Sequence, residues 1–123
     1  MKSCYIFSDK NLAYLQEIIA TKFKKVEIFK ITPDKNKKKN LINLNEKEFF
    51  LKFIDKFEEL KAKSDFVIVV GCEGFSVFGK SELNLKLARN LNAPVFDENA
   101  SELRALNLNS KLLITAKFDD ILS

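Results

Sequence analysis

The segment Asp65-Phe66-Val67-Ile68-Val69-Val70 limits the folds open to this chain more than any other. Phe66 to Val70 are all apolar and four of the five are β-branched, so a strand built from them has no polar face to offer to water. A strand of that kind needs cover on both sides. Helices packed on both faces of a parallel sheet give that cover, and the run reads as the centre of such a sheet.

The flanking segments fit the same plan. Lys2 to Phe7 reads as a buried first strand, with Ser8 and Asp9 as candidate caps for a helix carrying Leu12, Leu15, Ile18, Ile19 and Phe23 at helical spacing. Val26 to Ile31 is a second strand, and Pro33 with the Lys/Asn-rich residues to Asn40 fits only a loop. Asn45 then caps a long helix to about Lys63, with Glu48 at the reciprocal capping position. Phe49, Phe50, Phe53, Ile54, Phe57 and Leu60 form its core-facing stripe.

After Val70, a Gly-containing loop leads to a helix from about Lys80 to Leu91, which Asn92 stops. Ala93 to Phe96 is a short strand with its proline at the start, Ser101 to Leu106 a brief helix, and Lys111 to Thr115 a last strand before a terminal turn or helix. Five β-then-α steps predict a three-layer, doubly wound, mainly parallel sheet of about five strands. The length of 123 residues fits one domain, 1–123, with no internal repeat.

Composition narrows the chemistry. The chain has no histidine, which removes Ser-His-Asp, Cys-His and HExxH arrangements from it. Of 21 basic residues only Arg89 and Arg104 are arginine, and the lysines are dispersed, so a nucleic-acid partner is not expected. No apolar run is long enough for a bilayer and the first residues do not resemble a signal peptide, so a cytoplasmic protein without a membrane partner is expected. Cys4 and Cys72 are then reduced thiols with no assigned role.

In parallel sheets ligands bind beyond the carboxyl ends of the strands. The segments to inspect are Ser8–Asn11, Thr32–Asn40, Gly71–Gly79 and Asp97–Asn99. One carries a motif. Gly74 to Ser81 (GFSVFGKS) satisfies GxxxxGK[ST], in which backbone amides, a lysine and a hydroxyl surround nucleotide phosphates. It follows a strand and opens a helix, as that loop requires. A second reading stays open, in which Ser81 caps the helix, Lys80 is a solvated first-turn residue, and Phe75 and Phe78 pack on the core or form a contact patch. A flavodoxin-like or receiver-like binding module ranks last, because a receiver needs paired acidic residues beside the first strand and a central Asp on another, and Asp9 stands alone.

Asp65 to Val70 followed by Glu73-Gly74, and the helix Leu83 to Leu91 running through Asn92-Ala93-Pro94-Val95, resemble the central stretch of the amino-terminal domain of long-form bacterial phosphate acetyltransferases. That domain is itself similar to dethiobiotin synthetase. Val26 to Ile31 followed by Thr32-Pro33 resembles its second strand, and together these pieces cover about half of the chain.

The resemblance implies a degenerate, P-loop-NTPase-like fold. It implies a regulatory or assembly role beside a separate catalytic domain that interconverts acetyl-CoA and phosphate with acetyl phosphate and CoA. The chain would be the amino-terminal part of that longer, homo-oligomeric enzyme, with no catalytic residue, resident cofactor or metal of its own. Glu73 matches the Glu-Gly carboxylate that can hold Mg²⁺ in the synthetase, while the place of the synthetase's nucleotide loop holds Ser8-Asp9-Lys10-Asn11, without glycine. Glu73, Gly74, Gly79, Lys80 and Ser81 are the candidate phosphate or nucleotide residues, and a small nucleotide-binding protein using them is the alternative function.

Overall fold

The computed structural model describes residues 2–7, 9–31, 46–71, 82–106 and 111–122, without the side chains of 11, 46–50, 82, 83 and 106. Among these residues five strands alternate with five helices: β1 (Ser3–Ile6), α1 (Leu12–Ala20), β2 (Val26–Lys30), α2 (Glu46–Lys63), β3 (Phe66–Val70), α3 (Glu82–Leu91), β4 (Val95–Phe96), α4 (Ala100–Leu106), β5 (Ile114–Thr115) and α5 (Asp119–Leu122). The strands form one sheet in the order β2-β3-β1-β4-β5, and every pairing is parallel.

This bears out the α/β class and corrects one position. The central strand is β1, and the apolar run of β3 is its inner neighbour. The sequence signal could not separate the two, because any strand flanked on both edges and covered on both faces reads as continuously apolar. All four residues of β1 and all five of β3 are buried.

Alternate residues of each strand point to two separate cores. Tyr5, Val67, Val69, Val95 and Ile114 pack with Phe57 of α2, Leu85, Leu87, Ala88 and Leu91 of α3, and Ala100 and Leu103 of α4. Cys4, Ile6, Phe66, Ile68 and Val70 pack with Leu15 and Ile19 of α1 and with Phe118 and Ile121 at α5. Thus α2, α3 and α4 cover one face while α1 and α5 cover the other. Right-handed crossovers produce this division, because the β1-to-β2 connection runs one way along the sheet and the next three run the other way.

Local chemistry sets the ends of the elements. Asp9 does not cap α1; it opens a short 3₁₀ turn, Asp9–Asn11, and the helix starts at Leu12. The helix ends at Ala20, so Phe23 packs from beyond it, its ring 5.0 Å from that of Phe66. At the amino end of the sheet the Lys25 N–H donates to the Asp65 carboxylate (2.9 Å) and the Lys25 carbonyl accepts from Asp65 N (2.8 Å), which sets the β2–β3 register. The end of α3 is a Schellman motif: Asn92 has φ 54°, its N–H donates to Arg89 O, and Ala93 N donates to Ala88 O.

Of the Phe stripe on α2, Phe57 is buried and Phe53, Ile54 and Leu60 are partly buried. Phe49, Phe50, Glu48 and the cap Asn45 lie outside the described side chains. Phe57 touches the core beneath β3 and β1, so Phe57→Ala is expected to cost about 3–5 kcal/mol of unfolding free energy in urea titration. Ser64 offers the opposite case: its hydroxyl is buried without a hydrogen-bond partner. Ser64→Ala removes an unsatisfied polar group, and its urea midpoint is expected to equal or exceed that of the parent chain.

Candidate functional site

The sheet's handedness selects one place at its carboxyl edge. β1 sends its helix to one face, while the neighbours on both sides, β3 and β4, send theirs to the other. The crevice between such diverging connections is where open parallel sheets bind ligands, and here it lies beyond Ile6.

Four groups stand around that point. Phe7, just past β1, meets the Tyr5 ring edge-on at 5.9 Å. Asp9, in the 3₁₀ turn, pairs with Lys30 at the end of β2 across 3.9 Å. The register Ile6–Val70–Lys30 places the end of β3 between them, so this exposed ion pair spans the β3 terminus. On the other side Asp97 follows β4, and its carboxylate accepts the Asn99 N–H at 2.8 Å, leading the chain into α4. Beyond it Thr115 donates to the Asp120 carboxylate at 2.6 Å and accepts from Lys117 N at 3.0 Å.

Beneath the edge lies a buried polar pair. The Tyr5 hydroxyl donates to Asn84 Oδ1 at 2.7 Å, and both residues sit in an otherwise apolar core. Gly71 comes next to them: a Cβ at this position would stand 2.8 Å from the Tyr5 hydroxyl and would meet Asn84 Oδ1. A side chain is therefore excluded by close approach and not by backbone angle, since no glycine described has positive φ.

Glu73, Gly74, Gly79, Lys80 and Ser81 lie outside the described residues, as do Cys72, Phe75, Phe78 and the Thr32–Asn40 segment. The described chain leaves β3 at Gly71 and re-enters at Glu82, the first residue of α3. The strand-then-helix context expected for GxxxxGK[ST] is therefore present on both sides of the motif. Among the described residues no cluster of three or more His, Cys, Asp or Glu is placed to hold a metal ion. No helix among them is long and apolar enough to cross a membrane.

Tyr5 and Asn84 were not singled out by the sequence reading. Their signals were a tyrosine in a short strand between a cysteine and an isoleucine and an asparagine on the apolar stripe of α3, each interpretable alone as a tolerated exception. The pairing is visible only once β1 and α3 are superposed, 79 positions apart in sequence.

Among the described residues two groups have clearly displaced titration, and both lie away from the edge. The Glu59 carboxyl, on the exposed face of α2, is lowered by its hydrogen bond from Lys63 and by the charges of Lys56 and Lys63. Burial pushes the Cys4 thiol from its ordinary 9.0 up to about 12. Because the folded pKa is raised, the stabilisation from keeping this thiol protonated is whole below about pH 9 and is lost as pH rises toward 12, where the unfolded chain alone gains by ionising. The thermal midpoint is expected to fall more steeply above pH 9 in the parent chain than in Cys4→Ala. Parallel curves for the two proteins would remove Cys4 as the cause.

Compared with protein-family models, with curated proteins and with solved structures, the chain matches none.

Proposed function

We propose that the chain is a non-catalytic regulatory or assembly domain of a phosphate acetyltransferase, serving an enzyme whose catalytic centre lies in another domain. The observation that carries this reading is the first β-to-α turn. In nucleotide-binding α/β sheets the turn after the first strand presents backbone amides to a phosphate at the helix N-terminus. Here that turn carries the carboxylate of Asp9, engaged with Lys30, in the three residues before α1. A carboxylate in this place repels an anionic ligand. The partners on this reading are the enzyme's catalytic domain and further copies of the parent chain.

A second reading has its own support. The connection from β3 to α3 leaves the sheet beside the switch point at β1, and its sequence contains Gly74, Gly79, Lys80 and Ser81 with Glu73 just before. A phosphate-bearing ligand held there makes the domain a nucleotide-responsive one.

Two measurements separate these readings. The purified chain alone, given acetyl-CoA and phosphate, is expected to form no acetyl phosphate; turnover would overturn the non-catalytic reading. Isothermal titration with Mg-ATP and Mg-GTP is expected to give no binding heat in either the parent chain or Lys80→Ala. Micromolar binding that disappears in Lys80→Ala would establish the second reading instead.

A further inference from the structure

The sheet is bonded unequally along its width. β2 pairs β3 over five register positions and β3 pairs β1 over four. Among the described residues β1 meets β4 at one position, Tyr5 beside Val95, with Tyr5 N donating to Pro94 O at 2.7 Å. Beyond that junction the elements are tied closely to one another. Val95 N donates to Leu113 O at 2.8 Å and Asp97 N to Thr115 O at 3.0 Å, so both residues of β4 are paired with β5. The Phe96 and Phe118 rings meet edge-on at 5.4 Å and Thr115 donates to Asp120 at 2.6 Å, which joins α5 to the same two strands. Ala100 and Leu103 of α4 pack in one cluster with Val95 and Ile114.

We infer that the junction of β1 and β4 is a seam, along which β4, α4, β5 and α5 separate from the rest of the sheet as one cooperative unit, at a free energy below that of global unfolding. α3 stays on the other side, because the buried Tyr5 hydroxyl bonds Asn84 at 2.7 Å. The boundary in the chain falls just after that helix, at exposed Asn92 with φ 54°. Local opening takes contiguous stretches with few bonds to their surroundings, and the run from β4 to α5 is such a stretch. What closes the seam is side-chain burial, chiefly of Val95 and Ile114 on one face and of Phe118 and Ile121 on the other. Burial is non-directional, so it holds the unit in place without the ladder of backbone bonds that joins β1, β3 and β2. The seam runs out at the carboxyl-edge crevice, between Phe7 after β1 and Asp97 after β4, so a partner bound across the crevice would stabilise the closed form by mass action. The seam is a property of the strand pairing and is the same under either reading of the function.

Hydrogen exchange of the whole chain, over a urea series below the unfolding midpoint, reads the seam directly. The Tyr5 amide is the diagnostic one, since it lies in the fully buried central strand yet bonds across the seam. Tyr5, Val95 and Asp97 are expected to share one urea dependence, shallower than the global one because less surface is exposed. Their protection is expected to be about a hundredfold below that of Val67, Gly71 and Ile31, whose partners Lys2, Ile6 and Val70 lie on the persistent side. Phe23→Ala removes a ring that stands 5.0 Å from Phe66, also on the persistent side. It is expected to lower protection at Val67, Gly71 and Ile31 by about tenfold and to leave Tyr5, Val95 and Asp97 within about twofold of the parent chain. Equal protection of Tyr5 and Val67, urea-independent or unequal opening of Tyr5, Val95 and Asp97, or a Phe23→Ala effect spread over both sets would each overturn the seam. If Phe23→Ala does not fold, Val26→Ala makes the same comparison from β2, where Val26 is partly buried on the same face.

Discussion

Parallel pairing of β1 on both of its edges is the constraint from which the rest of the architecture follows. β1 bonds β3 over four register positions and β4 at Tyr5, with Tyr5 N donating to Pro94 O at 2.7 Å. A parallel strand cannot be joined to its neighbour by a tight turn, so each pairing requires a crossover, and each crossover requires a helix with an apolar face to bury. With β1 in the middle, the first crossover runs toward β2 and the later ones run back past it. The two faces are then covered unequally, by α1 and α5 on one and by three helices on the other. The crevice beyond β1 is a geometric product of that strand order and needs no special residue to exist.

The polar groups inside this scaffold divide between the two ends of the sheet. At the amino end the reciprocal Lys25–Asp65 bonds set the register of β2 on β3. A one-residue slip there would exchange the two faces and drive Glu27 and Lys30 across the sheet, so register carries a large free-energy difference. At the carboxyl end the buried Tyr5–Asn84 pair ties a helix to the central strand at a point where purely aliphatic packing would permit sliding. A hydrogen bond of this type adds about 1 kcal/mol net, yet it discriminates strongly against alternatives that leave its partners unmatched in the core. Register at one end and helix placement at the other are thus held by short-range polar contacts, while burial supplies the bulk of the stabilisation.

Much of this was legible in the sequence, for reasons that differ from element to element. β3 announced itself because a doubly covered strand has no polar positions, and α2 because Phe53, Ile54, Phe57 and Leu60 recur at helical spacing. Asn92 and Pro94 marked the α3-to-β4 junction through backbone requirements that few other residues meet. Strand order was not legible, because it depends on crossover direction and leaves no periodicity in the chain. The start of α1 was misread for a related reason: Asp9 has the chemistry of a cap, and only the path of the chain decides whether that chemistry is spent on the helix or on a 3₁₀ turn. The Tyr5–Gly71–Asn84 contact was invisible because each member has an ordinary local explanation.

At the carboxyl edge the polar side chains positioned by the described strands are already engaged with one another. Asp9 faces Lys30, Asp97 accepts the Asn99 N–H, and Thr115 is bonded to Asp120 and Lys117. Among the described residues the two displaced titrations belong to the interior thiol of Cys4 and to the exposed face of α2, both away from the carboxyl edge. The described strand ends thus carry polar groups that bond to one another. In open parallel sheets the ligand chemistry at this edge belongs to the segments that connect the strands to their helices.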